Sequence, residues 1–164
     1  MNREESFLSS EYINEIKSVK YYLNTEFTFP LVNEEVKLGA LDGNKNKYII
    51  DINRKRAILS RCTYQTRIET TIQLLRLDID NKPHVNHDYN ETISGNHIHI
   101  YTDEYGDGIA LELNDPLLNI INPDFDLNRF NIDKNKEDIL YDYFEAFSDF
   151  CNLKNIPLYQ QCLS

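Results

Sequence analysis

Six short segments of this chain alternate apolar and polar side chains with a period of two, and this constrains the fold more than any other feature. Val36, Leu38 and Ala40 set the first segment, and Tyr48, Ile50 and Ile52 the second. Asp42-Gly43 between them is a turn dipeptide, so the pair reads as a hairpin around residues 42–46. Residues 58–67 and 70–79 read as two further strands, tightly joined near Ile68-Glu69. Leu74 and Leu75 stand in succession, which predicts a strand covered on both faces. The stretch "HIHIYTDE", a turn at "YGDG" and "IALEL" make the last pair. Short turns between strands predict antiparallel neighbours. The expected fold is therefore α+β, a mostly antiparallel sheet of about six strands, partly closed into a barrel in one version.

Helical spacing is expected near each end. In residues 9–24, Tyr12, Ile16, Val19 and Leu23 form one stripe behind a serine cap. In residues 133–152, Ile139, Leu140, Tyr143, Phe144, Phe147, Phe150 and Cys151 form a broad apolar face, with Asp133 as the expected N-cap. Between 114 and 135 the chain is rich in Asn, Asp and Pro and reads as an irregular wrap, with one helical turn near 116–121. The 164 residues suit one domain spanning 1–164. No apolar run approaches the roughly 18 residues of a membrane span. The charged start, "MNREESFLSSEY", predicts no secretory signal. Three scattered cysteines, Cys62, Cys151 and Cys162, predict reduced thiols and a cytoplasmic location.

Charge is unevenly spread. Residues 1–50 carry 6 basic and 8 acidic side chains, residues 51–82 carry 7 and 4, and residues 83–164 carry 4 and 15. The balances are −2, +3 and −11, which add to the chain's −10. Such a field repels a phosphate backbone at long range. It leaves two openings: a local basic patch around Arg54, Lys55, Arg56, Arg61 and Arg67, or an acidic surface that docks on a basic groove.

All four histidines, His84, His87, His97 and His99, fall within sixteen residues. Strand periodicity puts His97, His99 and Tyr101 on one face and Ile98 and Ile100 on the other. Arg76 and Asp78 share a parity of their own, so adjacent strands would bring them beside the imidazoles. Three readings stay open. A His-x-His strand places two imidazoles around one zinc, with His84 or His87 as a third ligand. Two histidines serve as general base and acid in phosphodiester cleavage, with Arg76 or Arg67 facing the developing charge. Or the imidazoles hydrogen-bond structurally to Asp78 or Asp103. No Gly-rich phosphate loop, HExxH, GxSxG or dinucleotide fingerprint is present. Cys62, near Arg61 and Arg67, reads either as an activated thiol or as a small buried apolar residue.

The ordered set "YIIDINRKR", "RCTYQTR", "TIQLLRLDIDNKPHVN", "HIHIY" and "FCNLKNIP" resembles a family of small bacterial and phage or other mobile-element proteins of unknown function, over residues 36–160. The resemblance implies shared positions at Arg54, Cys62, Thr63, Gln65, Arg67, Arg76, Asp78, His84, Asn86, His97, His99 and Tyr101, and at Cys151, Asn152, Ile156 and Pro157. It departs where the family loop runs Pro-His-x-Asn-Pro-Asp-Gly. Here His87 and Tyr89 replace the Pro and the Gly, which removes His87 from the shared set. The family's usual tryptophan is also missing.

Two functions are expected from these observations. The first is an acidic, non-enzymatic interaction protein of a mobile element, an inhibitor of anti-CRISPR or anti-restriction type. It would fill the basic groove of a nucleic-acid-binding host protein through Asp138, Asp142, Glu145 and Asp149. The second is a metal-independent ribonuclease of toxin–antitoxin type using His97, His99, Arg76, Arg67, Tyr101 and His84, with RNA as its partner only in that case. Neither expectation includes a cofactor, a metal or a membrane.

Overall fold

The computed structural model describes residues 3–55, 60–86 and 91–160; Arg56, His87, Tyr89 and Cys162 lie outside them. In chain order the helices are α1 (Arg3–Leu8), α2 (Ile13–Lys17), α3 (Leu118–Ile121) and α4 (Ile139–Phe150). The strands are β1 (Lys20–Tyr22), β2 (Glu26–Thr28), β3 (Glu35–Asp42), β4 (Lys47–Asn53), β5 (Cys62–Ile68), β6 (Ile72–Ile79), β7 (His84–Asn86), β8 (Glu91–Ile93), β9 (His97–Thr102), β10 (Gly106–Glu112), β11 (Leu153–Lys154) and β12 (Leu158–Gln160).

Eight strands form one sheet in the order β10-β9-β6-β5-β4-β3-β1-β11, and two small ribbons pair β2 with β12 and β7 with β8. Neighbours in the large sheet are antiparallel, apart from the parallel pair β1 and β11. The sheet has more strands than the six expected, and it is open, ending on β10 and β11. The class is α+β as the alternation implies. The hairpin between β3 and β4 turns at Asp42, whose carboxylate accepts the backbone N–H groups of Asn44 and Asn46. The turn between β5 and β6 falls at Glu69 and Thr70, one residue later than expected, and both adopt positive φ.

Register turns the period-two pattern into rows that cross the sheet. Val36, Ile52, Tyr64, Leu77, Ile98 and Leu111 pair in sequence. This row faces α4, whose Phe144, Phe147 and Phe150 are fully buried in the same core. Each such side chain contributes roughly 1.5–3 kcal/mol by leaving water. Leu74 and Leu75 are both buried, as their succession predicts.

The rows on the opposite face are polar. Lys37, Asp51, Gln65, Arg76, His99 and Ala110 form one; Asn53, Thr63, Asp78, His97 and Glu112 form the next.

Two helix expectations are corrected. Residues 9–24 do not form one helix. They supply α2 and then β1, because Lys20, Tyr21 and Tyr22 pair with Asp42, Leu41 and Ala40. Val19 and Leu23, expected on the buried stripe, are largely exposed. At the other end α4 begins at Ile139 with Asp138 in the cap position, not Asp133. The Asp133 carboxylate instead accepts the N–H of Asn135 in a local turn, a competition that short polar side chains often win. The helical turn expected near 116–121 is α3. Among the described residues, no helix is long and apolar enough to cross a membrane.

Candidate functional site

The polar rows meet the edge of the sheet at β6, β9 and β10. Register places His97 opposite Asp78 and His99 opposite Arg76, so the parity shared within each strand becomes a single cluster. The Asp78 Oδ2 atom lies 3.3 Å from His97 Nε2 and 3.2 Å from His99 Nε2. Arg76 brings Nη2 to 2.9 Å from His99 Nε2 and Nε to 3.1 Å from Asp78 Oδ1. Thr63 Oγ1 donates to Asp78 Oδ1 at 3.3 Å. His97 and His99 are 1% and 2% exposed. The parity argument placed them on an outer face, and the structure buries them there.

A β-bulge explains part of that burial. Register slips between Gly106 and Ile109 on β10, with Gly106 at φ +58. A Cβ on Gly108 would come within 2.9 Å of the Tyr105 carbonyl oxygen, so only glycine fits there. The bulge turns two successive carbonyls toward the imidazoles. Asp107 O accepts from His99 Nδ1 at 2.9 Å, and Gly108 O accepts from His84 Nε2 at 2.8 Å. Gly95 O likewise accepts from His97 Nδ1 at 2.8 Å. A carbonyl only accepts, so Nδ1 of His97 and His99 and Nε2 of His84 each carry hydrogen.

His84 arrives on β7, which folds back over the sheet edge. Asn86 fixes it there, because its amide bonds both backbone groups of Ala110 on β10: Oδ1 accepts from the N–H at 2.9 Å and Nδ2 donates to the carbonyl at 2.8 Å. The buried Asn86 side chain thus acts as one more peptide group along an otherwise open edge. The His84 ring then lies 4.5 Å from that of His99 and 6.0 Å from that of His97.

A cleft of about 230 Å³ opens over the cluster, lined by Arg61, Arg76, Asp78, Asn81, Lys82, Pro83, His84, His97 and His99. Arg61 is held by its Nε, which donates to Asp80 O at 2.7 Å. Lys82 is exposed. Arg61, Arg76 and Lys82 all come from the one segment with a positive balance. Burial alone would raise the Asp78 carboxyl. Hydrogen bonds from His97 and His99 and the charge of Arg76 outweigh it and hold the group far below the usual carboxylate range. Burial pushes His84 down, opposed by the Gly108 carbonyl and reinforced by the charges of His99, His97 and Arg76.

The sequence-predicted residues divide clearly. His84, His97, His99 and Arg76 come together. Arg67 lies on the same face but turns away toward β4, where its Nε and Nη2 donate to the Asp51 carboxylate at 2.6 and 3.0 Å. Tyr101 is half-buried and packs edge-on against Tyr12, with ring centroids 5.4 Å apart. His87 falls outside the described residues. Lys82 falls within the stretch "TIQLLRLDIDNKPHVN" but is not among the shared positions; the local +3 balance was its signal. Cys62 and Cys151 are free and fully buried. Burial pushes the Cys62 thiol up to about 12, the setting of a packing residue rather than a nucleophile.

The acidic set follows one stripe of α4 and its cap. Asp149 pairs with Arg129, Asp142 lies 3.6 Å from Lys136, and Asp138 accepts from Tyr159 at 2.6 Å. Burial raises the Glu145 carboxyl, and the charges of Asp142 and Asp149 add to it.

The class defined by these observations is an α+β protein with an open antiparallel sheet and a histidine–aspartate cluster beneath a cationic cleft. Residues 8–156 match DUF6978, a family of unknown function, and the chain belongs to that family. Neither the curated proteins nor the solved structures contain a match.

Proposed function

We propose that the cleft over Asp78, His97 and His99 binds a phosphodiester of RNA and cleaves it, in the manner of a small ribonuclease. One observation carries this reading: a chain of net charge −10 gathers Arg61, Arg76, Lys82 and three imidazoles around one small cleft. Placing cations against the overall field has a clear use where negative charge develops on phosphoryl oxygens. His84 is the general base. It is the most exposed imidazole of the three, and its Nε2–H is committed to Gly108 O, which leaves Nδ1 as the basic nitrogen. Nδ1 takes the proton of the ribose 2′-hydroxyl. The 2′-oxygen then bonds to phosphorus as the bond to the 5′-oxygen breaks, and water returns a proton to that leaving oxygen. Arg76 and Lys82 stabilise the phosphorane, while His97 and His99 hold Asp78 and Arg76 in place.

The test is a purified-protein assay on end-labelled RNA beside His84→Ala and Arg76→Ala variants. Cleavage by the wild type that falls at least a hundredfold in each variant supports the reading. Intact RNA with the folded wild type overturns it.

A second reading retains the acidic stripe as a docking surface for a basic, nucleic-acid-binding host protein, the inhibitor role of a mobile-element protein. Its support is the stripe of Asp138, Asp142, Glu145 and Asp149 and the −11 balance after residue 82. Its test is charge reversal along that stripe with partner capture at moderate salt; unchanged capture argues against it.

A further inference from the structure

We propose that Asp78, His97 and His99 form a binding site for one divalent first-row transition-metal ion, zinc in the simplest case, with its fourth position open to the cleft. The inference does not rest on the ribonuclease reading. It needs only the ligand geometry.

Asp78 supplies a carboxylate beside the two imidazoles of the His-x-His strand. Its carboxylate and the two imidazoles present one ligand atom each, and these atoms lie within 4.8 Å of one another among buried residues. The two contacts to Asp78 Oδ2, 3.3 and 3.2 Å, are long for charge-assisted hydrogen bonds, which run about 2.7–2.9 Å. They equal the edge of a tetrahedron around an ion with bonds of about 2.0 Å, which is roughly 3.3 Å.

Hydrogen positions reinforce the point. Nδ1–H of His97 is given to Gly95 O and that of His99 to Asp107 O. Each ring therefore turns its Nε2 toward the same carboxylate oxygen, the nitrogen a metal ion would take. Backbone carbonyls that fix the tautomer from the far side of the ring are the usual outer shell of histidine metal ligands.

In this structure the cation beside Asp78 is Arg76. Its Nη2 reaches His99 Nε2, while its Nε is buried beside Asp78 without a hydrogen bond of acceptable geometry. The fit is makeshift, and an exit exists: Nη1 already lies 3.7 Å from Asp107, whose side chain is 56% exposed. Metal entry displaces Arg76 toward Asp107.

Titration of metal-stripped wild type with Co²⁺, followed by its visible d–d absorption and by Zn²⁺ competition, tests the site. One saturable equivalent displaced by Zn²⁺ is expected. Arg76→Gln, which removes the resident cation, should bind about tenfold tighter. Asp78→Asn and His97→Gln should each lose at least the ten- to hundredfold that an outer-shell change costs. The ¹⁵N shifts of His97 and His99 Nε2 in the wild type, with and without Zn²⁺, give the same answer without relying on any variant to fold. Shifts confined to Nε2 support the site. Absence of saturable binding by folded wild type overturns it, even if Arg76→Gln binds, since Arg76 is then the permanent occupant. Unchanged binding by folded Asp78→Asn overturns it as well.

Discussion

Two buried aspartates on the same sheet face, Asp51 on β4 and Asp78 on β6, sit in opposite situations. Asp51 is closed. Arg67 meets it with two donors at 2.6 and 3.0 Å, Gln65 adds a third at 2.9 Å, and Lys37 approaches at 3.5 Å. Every contact there is a donor meeting an acceptor. Asp78 is surrounded by two imidazole nitrogens at longer range and by an arginine that meets them imperfectly, and it opens on a cleft. The first arrangement uses its polar groups up in holding three strands, β3, β4 and β5, together. The second gathers three ligand-type groups at one point beside a cleft, and such convergence marks a site rather than a strut.

The comparison can be broken most sharply at Arg67. Arg67→Ala leaves Asp51 buried without its main partner and should cost about 3–5 kcal/mol in urea unfolding, while Co²⁺ uptake under native conditions persists. A loss under about 1 kcal/mol would show that Asp51 is not a closed pair.

Lys20 extends the scale to a buried charge that, among the described residues, bonds carbonyls rather than a carboxylate. Its ammonium donates to the carbonyls of Ile16, Ser18 and Cys151, and burial lowers its pKa from 10.5 to about 8. Between those values the unfolded chain binds more protons, so stability rises with pH from about 8 to 10.5. The shift, 10.5 minus 8, corresponds to about 3 kcal/mol. Stability curves of wild type and Lys20→Met should diverge across that window and run parallel below it.

Asn86→Ala breaks the clamp on β10 and leaves two buried backbone groups unpaired, at about 2 kcal/mol. RNA cleavage should fall further than stability accounts for, because His84 loses its anchor. Cleavage unchanged at a temperature where the variant is folded would detach the loop from the site.

Asp78→Asn should cost only about 1–2 kcal/mol at neutral pH while ending metal uptake, the reverse of the Arg67 pattern. Since the folded Asp78 is held below its unfolded value, its stabilisation is present above about pH 4 and lost as pH falls toward the folded pKa. Acid unfolding of the Asn variant should therefore begin at lower pH than that of the wild type. The smallest effect is expected on α4, where reversing Asp142 to Lys should change stability by less than about 1 kcal/mol; a larger loss in thermal melts would make its contact with Lys136 structural.

Much of this was legible along the chain. Parity alone put His97 with His99 and Arg76 with Asp78, and the composition of residues 51–82 marked where the cations of the cleft reside. Parity could not say which strand lies beside which. Arg67 has the same kind of neighbours in sequence as Arg76, yet β5 sits between β4 and β6, and a bulge at Thr66 and Arg67 accompanies its turn toward Asp51. Residues 9–24 carry a helical stripe of four apolar side chains. Sheet pairing of Lys20–Tyr22 with β3 satisfies more backbone groups than one more helical turn would, so tertiary contacts overrode the local period.

What the sequence by itself determined is the alternation, and hence an antiparallel sheet with one apolar and one polar face, because successive strand side chains must point to opposite sides. Only the tertiary structure decided that His84 returns over the edge of that sheet and that a bulge aims two carbonyls at the imidazoles. Those are contacts between residues 8 to 24 positions apart, set by register and edge closure, and no local rule of the chain encodes them.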